Sequence, residues 1–378
     1  MLHVAPYTDQ SYGGPGVAIR AMAQTMVRHG YEVHVATTNA AGDNELKLKG
    51  DAPINEHGVQ FRYFQRAFPR SWFRSPSMVR WLQTHASDYD LMHLHVPFTA
   101  PLRAGALAAK YANRPYIITP HGVLDPWCLA HKAWKKVPYL RYIERNILSG
   151  AAAIHVTAPM EQNFIDMLQL GVPTWCLPLA VPLSRVSEHK PSGDRRARIL
   201  CIARLHPVKA LPILFAAIAS LRARGFEVCL DMAGDGEANY ASSLRKQART
   251  LGLEDAVVWH GHVNAMQKEA LYSVASCFAL LSYHENFGLA AAEAMAAGVP
   301  VVVSDQVGLA PDVLELEAGQ VVPVGDAIAA AAAIERLLKP ESREEAGTQS
   351  RKLVEQRYSS TKFAEGLAAM YKNALSNN

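Results

Sequence analysis

Short apolar runs alternate with amphipathic stretches along almost the whole chain. Runs at 2–5, 32–37, 91–95, 116–119, 153–157 and 175–177 read as strands, with helical periodicity between them at 17–29, 102–112 and 160–170. A second series opens at 198–203 and continues through 228–232, 257–259, 277–281 and 299–304. The final periodic segment, 362–375, has the pattern of an amphipathic helix. Alternation of this kind implies parallel sheets covered by helices. The polar stretch from Ser184 to Arg196, with Pro191 and Gly193 inside it, has the composition of a linker. The expected organisation is α/β with two Rossmann-like domains, 1–183 and 198–359, joined by a linker at 184–197.

Length agrees, since 378 residues exceed what one core usually holds. A hydrophobic fraction of 49% against 19% charged supplies an ample core. The net charge of +4 is too small to point to nucleic acid, and none is expected as a partner. Its distribution is uneven: 17 Lys and Arg face 12 Asp and Glu through Ala180, whereas the remainder has 21 against 22. Five scattered cysteines without a CxxC pair fit reduced thiols of a cytosolic protein better than disulfides or zinc. No run reaches the ~18 apolar residues of a membrane helix. Met1-Leu2-His3-Val4-Ala5 reads directly as a strand, so no signal peptide is expected.

The candidate chemistry concentrates after the 277–281 strand. Glu285 falls in the loop at that strand's carboxyl end. Glu293, eight positions on, lies about a turn and a half into a small-residue helix starting near Gly288. Open α/β sheets bind ligands outside the carboxyl ends of their strands, and a free helix N-terminus there attracts an anion. Two carboxylates can accept hydrogen bonds from sugar or ribose hydroxyls, while the backbone at Asn286, Phe287, Gly288 and Leu289 meets a phosphate. The combination suits a nucleotide sugar.

This run resembles the E-x7-E element of family-4 retaining glycosyltransferases with the GT-B fold. Other pieces of that family's pattern follow in order across nearly the whole chain: Tyr12-Gly13-Gly14-Pro15-Gly16, the loop Thr119-Pro120-His121-Gly122, Arg204-Leu205 with Lys209, Ala233-Gly234-Asp235-Gly236 and His260-Gly261-His262-Val263. The resemblance implies two Rossmann-like domains facing across a cleft, with the C-terminal helix, 360–378, packing back on the first. It implies donor binding by Gly13, Gly14, Gly16, the 286–289 backbone, His262 and Glu293, the last on the ribose. Glu285 would take sugar hydroxyls, Arg204 and Lys209 the diphosphate, and His121 a place beside the reacting centre. His95, Asp125 and Trp127 are candidates for the acceptor side. No metal and no cofactor is implied. The expected reaction moves a sugar, from a UDP-sugar by preference, to a hydroxyl of a glycan or lipid-linked acceptor in polysaccharide synthesis. A nucleotide-sugar epimerase would need paired acid/base carboxyls near the sugar, and no second candidate is visible; a non-catalytic binder would be expected to lack some of the four charged residues.

Other signals carry less. Asp88-Tyr89-Asp90 precedes a strand and so lies at the wrong sheet end for a metal motif. His93 and His95 share a strand face, but no third ligand is visible and zinc is not expected. Gly13-Gly14-Pro15-Gly16 lies well beyond its strand and no acid ends the next, which argues against a dinucleotide fingerprint. The segment 61–74 interleaves aromatics with arginines and contains no acid. Together with Trp134-Lys135-Lys136 it suits peripheral contact with the inner face of a plasma membrane, or a lipid diphosphate; an ordinary acceptor loop packed on a core would have the same composition. Lys209 is followed by Ala210 where the family pattern has Gly.

Overall fold

The protein is described from a computed structural model covering residues 1–42, 44–47, 52–183 and 196–376. The expected linker at 184–197 lies outside these residues except at its last two positions. The chain forms two compact units, Met1–Ala180 with Ser360–Asn378, and Val181–Ser359.

Unit 1 contains an eight-stranded sheet. Its strands are β1 (Leu2–Ala5), β2 (His34–Thr38), β3 (Ile54–Glu56), β4 (Val59–Phe64), β5 (Met92–His95), β6 (Tyr116–Thr119), β7 (Ala153–Val156) and β8 (Thr174–Cys176). The order is β8-β7-β6-β5-β1-β2-β4-β3, all parallel except the β3–β4 hairpin. The chain reverses its winding between β1 and β5, so the loops after these two strands flank the switch-point crevice. Helix α1 (Gly14–Arg28) follows β1, and α2 (Pro159–Met167) follows β7. Unit 2 has a wholly parallel sheet of β9 (Ala197–Ile202), β10 (Val228–Ala233), β11 (Val257–Gly261), β12 (Cys277–Leu280), β13 (Val301–Ser304) and β14 (Gly319–Val322). Its order, β11-β10-β9-β12-β13-β14, places the switch point between β9 and β12. These are the two strands whose carboxyl ends lead to Arg204 and to Glu285.

In the two main sheets, three strands lie outside the runs read from the sequence; a separate antiparallel pair, Ala40–Ala41 with Asn44–Glu45, does as well. β4 takes the first part of the basic–aromatic segment, and its alternation Val59-Gln60-Phe61-Arg62-Tyr63 points Val59 and Phe61 into the core, both 0% exposed. Arg62 stacks on Trp81. β3 and β14 are short and polar or half-exposed, so their alternation is faint.

One face of the unit 1 sheet is apolar, with Leu2, Val4, Met92, Leu94, Ile118, Ile154 and Val156 in a single core. The other carries His3, His93, His95, Thr119 and His155, brought side by side by the registers His3↔His93 and His95↔Thr119. The C-terminal helix Ser360–Ser376 covers this face through Tyr371 and Phe363. Its Gly366 lets it approach closely, since a Cβ there would fall 2.7 Å from Leu177.

The pairing here runs in one direction. The Leu177 carbonyl can only accept, so His155 donates to it from Nε2 (2.9 Å) and accepts at Nδ1 from the Thr119 hydroxyl (2.9 Å). Thr119 Oγ1 accepts from His93 Nε2 (2.7 Å), and His93 Nδ1 accepts from the Tyr371 hydroxyl (2.8 Å). Every ring nitrogen and hydroxyl in this series from Tyr371 to Leu177 is satisfied with neutral rings.

Burial drives the ring pKa values down, to about 3 for His3 and His121, to about 4 for His155, and well below the usual value for His93 and His95. These rings charge near 6.5 once unfolded, so the stability they contribute is complete above about pH 6.5 and is lost as the pH falls toward 3. Glu144, whose carboxyl burial raises to about 7, opposes one of them between 7 and 4.5. The expected slope is roughly 1.4 kcal/mol per pH unit for each net proton. Hydrogen exchange at about pH 7 and pH 5, corrected for intrinsic rates, checks it. Amides of β1, β5 and β6 should lose protection while those of β10 and β12 change little.

Candidate functional site

In unit 2 the chain leaves β9 through Arg204 and a short turn, Pro207–Lys209, before the next helix. Ala210 sits in the left-handed region at φ +48°, a conformation glycine adopts without steric cost. The alanine therefore keeps the backbone that the family's glycine serves. Lys209 forms an ion pair with Glu285 Oε2. Arg204 is exposed and has no ion pair among the described residues.

The 285–288 loop is strapped to the segment after β13. Glu285 N donates to Gln306 O (3.0 Å), Gly308 N to Glu285 O (2.9 Å) and Leu309 N to Phe287 O (3.1 Å). Gly288, at φ +97°, is required twice over, because a Cβ there would also stand 2.8 Å from Val307. The Phe287 ring turns into the core, edge-on to Tyr358, so only its backbone borders the loop. Helix α4 (Leu289–Ala296; α3 is Ala265–Val274) begins at Gly288 without a side-chain cap. Its first N–H groups lack intrahelical acceptors. Glu293 is held from α3: Lys268 Nζ (2.8 Å) and the Tyr272 hydroxyl (3.1 Å) both meet its Oε2. Burial and the adjacent carboxylate raise the Tyr272 hydroxyl far above its usual range, keeping it a donor. In Glu285 and Glu293 alike, one oxygen is pinned by a lysine and Oε1 has no partner among the described residues. Lys268 and Tyr272 escaped the sequence reading, although their i,i+4 spacing puts them on one helix face.

In unit 1, His121 follows β6 at φ +56°, an uncommon conformation for histidine that costs energy unless its surroundings impose it. What imposes it is Glu161 in the first turn of α2, 1% exposed. Its Oε1 accepts from Gly122 N (2.7 Å) and its Oε2 from Thr157 N (3.0 Å). His95 does not line the surface: it is 0% exposed and meets His121 Nε2 through Nδ1 (3.2 Å). Asp125 is also buried, at 1%, whereas Trp127 is 45% exposed and His262 is exposed. A third imidazole, overlooked in the sequence, does join His93 and His95: His3, whose Nδ1 lies 2.9 Å from His95 Nε2. Both nitrogens of His93 and of His95 are already engaged in hydrogen bonds, which leaves neither ring a free lone pair for a metal. A cavity of about 550 Å³, lined by Met1, Tyr31, Arg62, Trp81 and Tyr371 among others, lies at the amino ends of the strands, away from these loops.

Comparison with known proteins decides the family. Residues 13–176 match the model "Glycosyl transferase 4-like domain" and residues 185–353 match "Glycosyl transferases group 1". GDP-mannose:cellobiosyl-diphosphopolyprenol alpha-mannosyltransferase of Komagataeibacter xylinus is 31% identical over 320 residues, 81% of this chain and 75% of its own. The chain belongs to the family-4 glycosyltransferases. D-inositol 3-phosphate glycosyltransferase of an Arthrobacter species is 26% identical, covering 85% of this chain and 81% of its own. Sucrose-phosphate synthase from Thermosynechococcus elongatus superposes with a TM-score of 0.79 at 21% identity, over 100% and 99% of the two chains. The fold is thus GT-B, and the enzyme is a hexosyltransferase.

Within the glycosyltransferase, the three glycines near α1 differ in what surrounds them. A Cβ on Gly16 would lie 2.5 Å from the Asp9 carbonyl oxygen, so this glycine permits the chain's own close approach. Gly13 and Gly14 border open space, leaving their backbone accessible. Gly16→Ala is therefore expected to destabilise unit 1 by about 2 kcal/mol. Gly14→Ala should stay within ~0.5 kcal/mol. Denaturant unfolding of both variants measures the contrast.

Proposed function

We propose that this glycosyltransferase moves a hexose, with retention and without a metal, from a nucleoside diphosphate to a hydroxyl of a lipid-linked glycan. The observation that carries the reading is the shared state of Glu285 and Glu293: one oxygen pinned by a lysine, the other open, on either side of an uncapped helix start. An ion-paired carboxylate held this way is a fixed acceptor. Glu293 then takes the ribose hydroxyls and Glu285 those of the hexose. The phosphates meet Arg204, Lys209 and the N–H groups at Gly288 and Leu289, where the helix end adds roughly half a positive charge. Those charges stabilise the departing diphosphate as a metal does elsewhere. The departing phosphate takes the acceptor proton.

A UDP-sugar is the expected donor. The Komagataeibacter relative is named for GDP-mannose and for a diphosphopolyprenol acceptor, which supports a lipid-linked acceptor and sets GDP as the competing base. Calorimetric titration with UDP, GDP and ADP, with and without EDTA, reads both points. One nucleotide should bind in the micromolar range, unaffected by EDTA. Glu293→Ala should weaken it by about 2 kcal/mol, roughly thirtyfold. Binding that needs a divalent cation, or none to any nucleotide, would overturn the proposal.

The lipid-linked acceptor fits a surface of unit 1. Past β4, the basic–aromatic segment exposes Phe68 (85%) and Trp72 (45%) beside Arg70 and Arg74. Trp72 packs edge-on to Tyr139, 5.4 Å between ring centres, which joins this tip to Trp134, Lys135, Arg141 and Tyr142. No helix among the described residues is long and apolar enough to cross a membrane. Peripheral contact with an anionic leaflet is the role we assign to the patch. Sedimentation with phosphatidylglycerol vesicles should retain the protein, phosphatidylcholine vesicles should not, and Phe68→Ser with Trp72→Ser should abolish retention.

A further inference from the structure

The hydrogen bonds behind His121 form a second relay of imidazoles. His3 Nδ1 meets His95 Nε2 at 2.9 Å, and His95 Nδ1 meets His121 Nε2 at 3.2 Å. A neutral imidazole has one N–H and one lone pair, so each contact needs one of each. Only two arrangements satisfy both contacts. In one, His3 donates to His95, His95 donates to His121, and His121 is left with its proton on Nδ1. In the other every proton is reversed and His3 carries its proton on Nε2.

The two differ in what they leave at the closed end. His3 is 0% exposed and its Nε2 has no hydrogen-bond partner. The reversed arrangement would bury an N–H donor there with nothing to accept it, at the cost of its full desolvation. The forward arrangement leaves only a bare lone pair. At the open end both are tolerable, because His121, 8% exposed, is the one ring of the set that reaches the surface. Its Nδ1 has no protein hydrogen bond among the described residues.

We propose that His3 and His95 are positioning residues that fix His121 in its Nδ1–H tautomer, presenting a hydrogen-bond donor to a sugar or phosphate oxygen. The inference rests on the proposed sugar transfer for its role, but not for its structure. The tautomer of a histidine is set by the bond its other nitrogen makes, and here that bond is set one ring further back. His121 in this state gives a hydrogen bond and takes no proton, which matches a reaction whose proton goes to the departing phosphate. An oxygen acceptor at Nδ1 is favoured over any donor group.

The test uses the full chain labelled with ¹⁵N-histidine, with His121 assigned by loss of its signals in His121→Gln. Long-range ¹H–¹⁵N spectra of the wild type should show Nδ1 protonated and Nε2 bare. His3→Leu removes the donor to His95 and should turn the single tautomer of His121 into a mixture. It should lower kcat about tenfold, the effect of one misdirected hydrogen bond, while nucleotide affinity is unchanged. His3→Asn, whose amide N–H stands where Nδ1–H stood, should restore both the tautomer and most of kcat. An Nε2–H tautomer in the wild type, or a leucine variant with an unaltered tautomer, would overturn the relay. If the leucine variant does not fold, the wild-type and asparagine spectra still decide. If no nucleotide sugar is turned over, the transfer reading fails and the spectra judge the relay alone.

Discussion

A buried imidazole must stay neutral and give each nitrogen a partner, and unit 1 is organised around meeting that demand several times on one sheet face. The parallel registers place His3, His93, His95, Thr119 and His155 together. Tyr371 from the C-terminal helix and the Leu177 carbonyl then close the series at its two ends. An apolar face would have been simpler to bury. The polar one imposes directionality: each proton position follows from its neighbour's, and among the described histidine nitrogens beneath His121 the loose end is His3 Nε2. The loop carrying His121 is gripped from a second side by Glu161, which explains how a left-handed histidine is maintained there.

Unit 2 solves a different problem with charge. Its switch point gathers acids and bases at the carboxyl ends of β9 and β12, where unpaired they would wander. Lys209 and Lys268 each take one oxygen of a glutamate, and the strap between 285–287 and 306–309 fixes the backbone on which Glu285 stands. Partly buried pairs of this sort contribute modestly to stability. Their larger effect is to hold the second oxygen of each carboxylate in place; under the proposed function, that lowers the ordering cost of binding a donor.

Much of this was legible in the sequence wherever the information is local. The alternation of apolar runs with helical periodicity fixes strands and helices to within a few residues. The placing of Glu285 in a strand-end loop and of Glu293 just over a turn into the following helix follows from local pattern alone. What depends on strand adjacency was hidden. His3 lies 92 positions from His95, and nothing in local spacing says that β1 and β5 are neighbours, so the third imidazole went unseen. Lys268 and Tyr272 show the same limit, since their partner sits on another helix. In the segment at 61–74 the aromatic and arginine content stands out more than the strict alternation of Val59 to Tyr63, so its composition alone left a core-packed reading and a surface reading both open. That alternation marks a core strand, with only the tip beyond it reaching the surface.

The route of the chain through its units has a consequence for how the molecule is made. The helix that completes the polar face of unit 1 is translated after the whole of unit 2. During synthesis His93 therefore has no Tyr371, and the half-built sheet emerges from the ribosome with its imidazoles wet on one side. At ~5–20 residues per second, roughly ten seconds or more separate the emergence of β8 from that of its covering helix. Unit 1, though most of it is translated first, cannot complete its fold until the last helix of the chain has emerged.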